Sequence, residues 1–380
     1  MINILLLNSF MNRVKQIHEL GQSIWLDFID RQLMNTGALQ TLIQEDGIRG
    51  LTSNPAIFEK AISSSQDYDE DIKRLAQTEQ SNEAIFYGVA VVDIQRAADL
   101  FAPVYDDKIS GADGFVSLEV SPYFALDAEK TIQQARFLWQ AVNRPNVMIK
   151  IPGTEACLPA IRQAISEGIN INVTLLFGLD RYRAVAEAYI AGLEDRLQAG
   201  QPIDQLASVA SFFISRIDTL VDPLLKEQDL TELTGEVAIA LAKRAYASYG
   251  QLFSSERFKK LADAGAVPQR LLWASTGTKD PAFSDVKYME ALIGPKTVNT
   301  VPMDTLNAFR DHGQAALSLT SHDEEATQVL ERVQLAGIDL NEIAQQLEDE
   351  GIQKFNAPYA NLLQAIDQQR NALVSSSDKQ

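Results

Sequence analysis

Eight short apolar runs recur along the chain, each followed by a helical stretch, and this alternation constrains the fold more than any other feature. The runs occupy residues 23–29, 48–54, 114–121, 147–153, 171–177, 206–213, 271–276 and 297–302. Amphipathic segments such as 156–167 and 181–197 lie between them. Strands alternating with helices predict a parallel sheet with helical crossovers. Eight such units point to closure as a (β/α)8 TIM barrel. The competitor is an open doubly wound sheet, but no Gly-x-Gly-x-x-Gly follows the first run.

A barrel of this kind needs about 250 residues, and the chain has 380. The surplus is expected in helical insertions at 54–114, with a loop at 63–67, and at 215–265. A helical tail should follow Pro302. There Ser321-His322-Asp323-Glu324 reads as a capping box, with Ala326, Val329, Leu330 and Val333 at helical spacing after it. Gly337 should end that helix, a second should begin over 339–350, and residues 375–380 should fray. The expected organisation is an N-terminal extension and leading helix over 1–20, the barrel with its insertions over 21–305, and C-terminal helices packing on the barrel over 306–380.

Composition narrows the partners. With 51 acidic against 33 basic residues the formal charge is -18, which argues against a nucleic-acid groove or an anionic membrane as the main partner. A small phosphorylated ligand needs only a few local cations and stays compatible. A single cysteine, Cys157, excludes an internal disulfide framework and fits a reducing cytoplasm, and three histidines leave little material for a metal site. The apolar run 2–7 is too short for a signal peptide or a membrane span. Met11 opens a more ordinary soluble start, so the first ten residues read as an extension.

Strands buried on both faces should be almost wholly apolar. Several of these instead carry polar residues near their carboxyl ends: Asp27, Asn54, Glu119, Lys150, Asn172 with Thr174, Ser211 and Ser275. Side chains alternate along a strand. Val147, Ile149 and Ile151 therefore share one face and Lys150 takes the other, just as Leu118 and Val120 oppose Glu119. The simplest arrangement turns the aliphatic face to the helices and gathers the polar residues in the barrel mouth. Bland readings exist for each residue. Asp27 and Asn54 could cap the helices that follow, Thr174 and Ser211 could serve packing, and Glu119 with Lys150 could be a structural ion pair. Their convergence in one barrel favours an active site.

Lys150 is the most informative of them. An ammonium desolvated inside apolar structure gives up its proton more readily, and the neutral amine can form a Schiff base with a carbonyl substrate. The protonated imine is an electron sink that lets a neighbouring carbon–carbon bond break. Asp27 and Glu119 are the right residue types for the accompanying proton transfers. No metal or other cofactor is required.

Taken in order, Trp25-Leu26-Asp27, Gly50-Leu51-Thr52-Ser53-Asn54-Pro55, Ser117-Leu118-Glu119-Val120, Ile149-Lys150-Ile151-Pro152 and Asn172-Val173-Thr174-Leu175-Leu176-Phe177 resemble the transaldolases over most of the chain. The block Leu272–Lys279 is similar to the longer bacterial branch of that family. The resemblance implies a metal-independent transferase of the pentose phosphate pathway. It would move a dihydroxyacetone unit from sedoheptulose 7-phosphate or fructose 6-phosphate to glyceraldehyde 3-phosphate or erythrose 4-phosphate. Lys150 would be the Schiff-base lysine and Asp27 the base for the donor hydroxyl, while Glu119 and Thr174 would hold the proton-shuttling water. Asn54 and Asn172 would bind the dihydroxyacetone unit. Ser211 and Arg216 match the family's Ser-x-Phe-x-x-Arg pattern, and Arg216, Ser275 and Lys279 would take the phosphate. One departure stands out: where other branches carry an arginine two residues after the seventh-strand serine, this chain has Gly277, with Lys279 two residues further on. The segment Gly351–Tyr359 is similar to the family's C-terminal helices and is expected beside the mouth.

Four other functions fit parts of the same sequence. A Schiff-base aldolase would share the lysine chemistry, but its free-dihydroxyacetone members are compact chains. A silent sugar-phosphate-binding barrel would have no use for Asp27, Glu119 and Lys150 together. A metal-dependent aldolase lacks a ligand cluster, and a serine hydrolase lacks a histidine at any strand end. The chain would act as a monomer or homodimer in the cytoplasm.

Overall fold

The computed structural model describes residues 12–79, 81–107 and 113–377. The expectation that the first ten residues are an extension lies outside these, as does the end of the tail expected to fray. Eight parallel strands close into a barrel in chain order. They are β1 (Gln22–Asp27), β2 (Gly50–Thr52), β3 (Phe115–Glu119), β4 (Val147–Pro152), β5 (Ile171–Leu176), β6 (Ser208–Phe213), β7 (Arg270–Ala274) and β8 (Thr297–Val301). Closure runs through β8 pairing with β1, from Gln22 opposite Thr297 to Leu26 opposite Val301.

The interior of the barrel is filled by side chains. Trp25 has no exposed surface, and a Cβ on Gly50 would lie 2.7 Å from its ring. Glycine is thus required on β2 for the indole to fit between β1 and β3, where Phe115 meets it at 6.3 Å between ring centres. This plug separates the amino end of the barrel from the mouth.

Some expected boundaries move, for local reasons. β1 stops at Asp27 because Asp30 caps the next helix, accepting from the Leu33 amide at 2.6 Å. β2 is short because Asn54 caps the helix Pro55–Ser64. Ser321 is not the cap of the helix Asp323–Leu335. His322 takes that place in a left-handed conformation, and the Ser321 hydroxyl donates to the Ser318 carbonyl instead. Gly337, at φ 80, follows the end of that helix as expected.

The insertion after β2 is helical, with a 25-residue helix at Asn82–Asp106. The last helix, Leu340–Ser377, has 38 residues and packs against Pro55–Ser64, Asn82–Asp106 and Ser215–Glu227. Among the described residues no helix is long and apolar enough to cross a membrane.

Candidate active site

Parallel pairing puts Glu119 beside Lys150 and Lys150 beside Asn172 across β3, β4 and β5. Because alternate residues share a face, all three point into the mouth. A cavity of about 200 Å³ opens there. Nine of the ten residues singled out in the sequence line it: Asp27, Asn54, Lys150, Asn172, Thr174, Ser211, Arg216, Ser275 and Lys279. Glu119 does not. It sits against the lysine, with its Oε2 3.2 Å from Lys150 Nζ. Larger hollows of about 510 and 480 Å³ lie elsewhere on the surface, and no buried lysine lines either.

Lys150 is 6% exposed, and its ammonium also donates to the Ser53 carbonyl at 2.9 Å. Burial raises the Asp27 carboxyl above the usual aspartate range, against the pull of the Lys150 charge and a hydrogen bond from Thr52. Burial likewise raises Glu119, again opposed by Lys150. Desolvation disfavours the charged form of each acid, so both are poised to hold a proton more readily than in water.

A hydroxyl relay supports Asp27. Thr52 Oγ1 donates to its Oδ1 at 2.7 Å and lies 2.7 Å from Thr300 Oγ1. On the opposite wall Ser211 Oγ donates to Asn172 Oδ1 at 2.7 Å, and Asn172 Nδ2 donates to Ser117 Oγ at 3.1 Å. Thr174 Oγ1 is buried with no partner. Asn54 caps the helix that follows, its Oδ1 accepting from the Ile57 amide at 3.1 Å, and it also lines the cavity.

The cationic side of the mouth is built by β6 and β7. Arg216 follows β6 and is desolvated enough to hold its guanidinium below the ordinary arginine range. Ser275 adopts a left-handed φ of 55°, an uncommon conformation for a residue other than glycine. Its hydroxyl lies 3.0 Å from that of Ser215. Lys279 is at the exposed rim. A Cβ on Gly277 would come within 3.2 Å of Thr305 Oγ1, so a side chain at that position would press on the helix Met303–His312.

Thr52, Thr300 and Ser117 also belong to the site, as do Phe213, from the Ser-x-Phe-x-x-Arg pattern, and Phe355, from the segment 351–359 expected beside the mouth. Thr52 sits inside a quoted block, and its two-residue spacing from Asn54 was the available signal. Thr300 becomes visible only once β8 closes on β1, and the contact of Phe355 with Arg216 only once the last helix returns. Among the described residues no three His, Cys, Asp or Glu side chains converge to hold a metal ion.

Comparisons with known proteins place nearly the whole chain in one family. The sequence model described as Transaldolase/Fructose-6-phosphate aldolase matches residues 24–366. A protein named transaldolase from Saccharopolyspora erythraea is 45% identical over 360 residues, covering 94% of this chain and 98% of the relative. One of the same name from Trichodesmium erythraeum is 45% identical, covering 96% and 99%. Another, from Thiobacillus denitrificans, is 43% identical, covering 94% and 100%. With a closed eightfold barrel, a buried lysine at its mouth and full-length similarity of this order, the chain belongs to the transaldolase/fructose-6-phosphate aldolase family.

Proposed function

We propose that this chain is a transaldolase, transferring a dihydroxyacetone unit between sugar phosphates through a Schiff base on Lys150. The observation that carries the reading is the buried Lys150 ammonium held between Glu119 and the Ser53 carbonyl, with Asp27 and Arg216 in the same mouth.

Glu119, raised by burial, is the acceptor for the lysine proton. The neutral amine adds to the carbonyl carbon of a ketose phosphate, and loss of water leaves a protonated imine. Glu119 and the unpartnered Thr174 hydroxyl hold the water that carries protons in this step and in its reversal. Asp27 then takes the proton of the donor hydroxyl. The adjacent carbon–carbon bond breaks, its electron pair moves toward the iminium nitrogen, and an aldose phosphate leaves. The three-carbon unit stays on Lys150 as an enamine, bound by Asn54 and Asn172, until an acceptor aldehyde arrives. The bond forms, Asp27 returns its proton to the new hydroxyl, and hydrolysis frees the lysine.

Arg216, Ser275 and Lys279 take the phosphate. Lysine offers a point charge where arginine offers a planar fork, so the rim contact is looser than the Arg216 contact. The same reading makes the partners small sugar phosphates, with neither nucleic acid nor membrane involved. It places the protein in the cytoplasm as a monomer or homodimer.

The test is a coupled assay with fructose 6-phosphate, with and without erythrose 4-phosphate. A transaldolase releases glyceraldehyde 3-phosphate efficiently only when the acceptor is present. Steady release of free dihydroxyacetone without an acceptor would make the chain an aldolase instead.

A further inference from the structure

The last helix reaches the mouth through Phe355, which lines the cavity. The centre of its ring is 5.8 Å from Arg216 Cζ, and the Phe213 ring approaches the same carbon to 5.1 Å. Both distances fall within the reach of a cation–π contact. Arg216 makes no ion pair among the described residues, and its Nη1 is buried with no hydrogen-bond partner.

Clamping a guanidinium by rings differs from clamping it by a carboxylate. A carboxylate would fix the side chain, but it would also take up the N–H edge and neutralise the charge an anion needs. An aromatic face fixes the plane and leaves the N–H edge free.

We infer that Phe355 is a positioning residue for the phosphate end of the substrate, holding Arg216 against Phe213 with its donors turned to the incoming anion. This rests on the function proposed above. It gives the C-terminal helix a role at the site beyond covering barrel surface, because the ring's position depends on how that helix is seated. Glu348 meets Arg181 at 3.2 Å, and the Tyr359 hydroxyl donates to Glu83 at 2.6 Å. Between them Gly351 crosses Leu175 so closely that a Cβ would lie 2.9 Å from its side chain.

Phe355→Leu and Phe355→Tyr, each checked for an unchanged thermal midpoint, separate the ring face from mere apolar bulk. Inorganic phosphate is titrated calorimetrically into the resting protein, and KM and kcat are measured with fructose 6-phosphate and with unphosphorylated fructose. Losing one ring face should weaken phosphate binding and raise the KM for fructose 6-phosphate roughly three- to tenfold in the leucine variant. Its kcat and its kinetics with fructose should hold, and the tyrosine variant should behave as wild type. Unchanged phosphate affinity in the leucine variant would overturn the inference. So would an equal loss with both donors, or the same loss in the tyrosine variant. If the wild type forms no imine with fructose 6-phosphate, the proposed function fails, yet the phosphate titration still judges the clamp.

Discussion

At the amino end of the barrel, polar side chains close on the main chain and on one another. Asn146 Nδ2 donates to the carbonyls of Ala98 and Gly114, Asn170 Nδ2 to those of Pro145 and Val147, and Gln22 Nε2 to that of Leu292. Asp113, 1% exposed, accepts from Ser23, Trp25 and Arg270. At the mouth, polar side chains bond to one another in the Thr300–Thr52–Asp27 and Ser211–Asn172–Ser117 chains, while Thr174 Oγ1 and Arg216 Nη1 have no partner. The amino end keeps unpartnered atoms of its own, on Gln22, Gln269 and Arg49, but its buried Asp113 is paired with Arg270. Polar groups that satisfy the backbone hold a barrel shut. Polar groups left facing a cavity, with a buried cation among them, hold a place for a substrate.

Substitutions at the two ends should therefore fail differently. Lys150→Ala should abolish transfer outright, with the protein still folded by circular dichroism. Asp27→Asn and Glu119→Gln should each lower kcat by roughly 10²- to 10⁴-fold, the ordinary worth of a positioned acid or base. Asp113→Asn at the other end should cost about 1–3 kcal/mol of stability by weakening a buried network. Its kcat per folded molecule should stay close to wild type in the same assay. A large kcat loss there, with stability intact, would erase the distinction between the ends.

Smaller effects sharpen it. Lys279→Ala, at the rim, should raise the KM for phosphorylated substrates by roughly two- to fivefold, as expected for an exposed charge contact. The acid limb of kcat/KM should lie above the usual aspartate range, because burial raises Asp27. Removing its donor in Thr52→Val should move the limb further up, and a pH-rate profile reads both. Asp218, behind the mouth, accepts from the Ala238 amide and the Tyr288 hydroxyl, and burial pushes it up to about 7. A carboxyl raised on folding gives stability that is full below its unfolded value and lost as pH rises through the folded one. The thermal midpoint of Asp218→Asn should thus fall less than that of wild type between pH 4 and pH 7.

How much of this the sequence disclosed depends on how local each feature is. Lys150 and Glu119 were legible because a charge inside an apolar strand breaks the expected pattern, and strand parity then sends it inward. Asn54 carried two readings: the capping bond is present, and it leaves the residue on the cavity wall. The bland reading of Asp27 as a cap falls away because Asp30, three residues on, offers the same chemistry with the right geometry. Ser321 failed as a cap because His322 could take the left-handed turn. Thr300 carried no local signal, and Phe355 stood out only as part of the segment 351–359 expected beside the mouth, with nothing to tie it to Arg216. A threonine on a buried strand and a phenylalanine on an amphipathic helix look like packing until barrel closure brings one to Thr52 and the last helix brings the other to Arg216.

The proposed reaction requires a covalent bond between Lys150 and the substrate. Borohydride reduction of the protein with fructose 6-phosphate, followed by intact and peptide mass spectrometry, tests it most directly. One reduced dihydroxyacetone adduct is expected, on the peptide carrying Lys150 and absent from Lys150→Ala. An adduct on another lysine, or none from the folded wild-type protein, would contradict it.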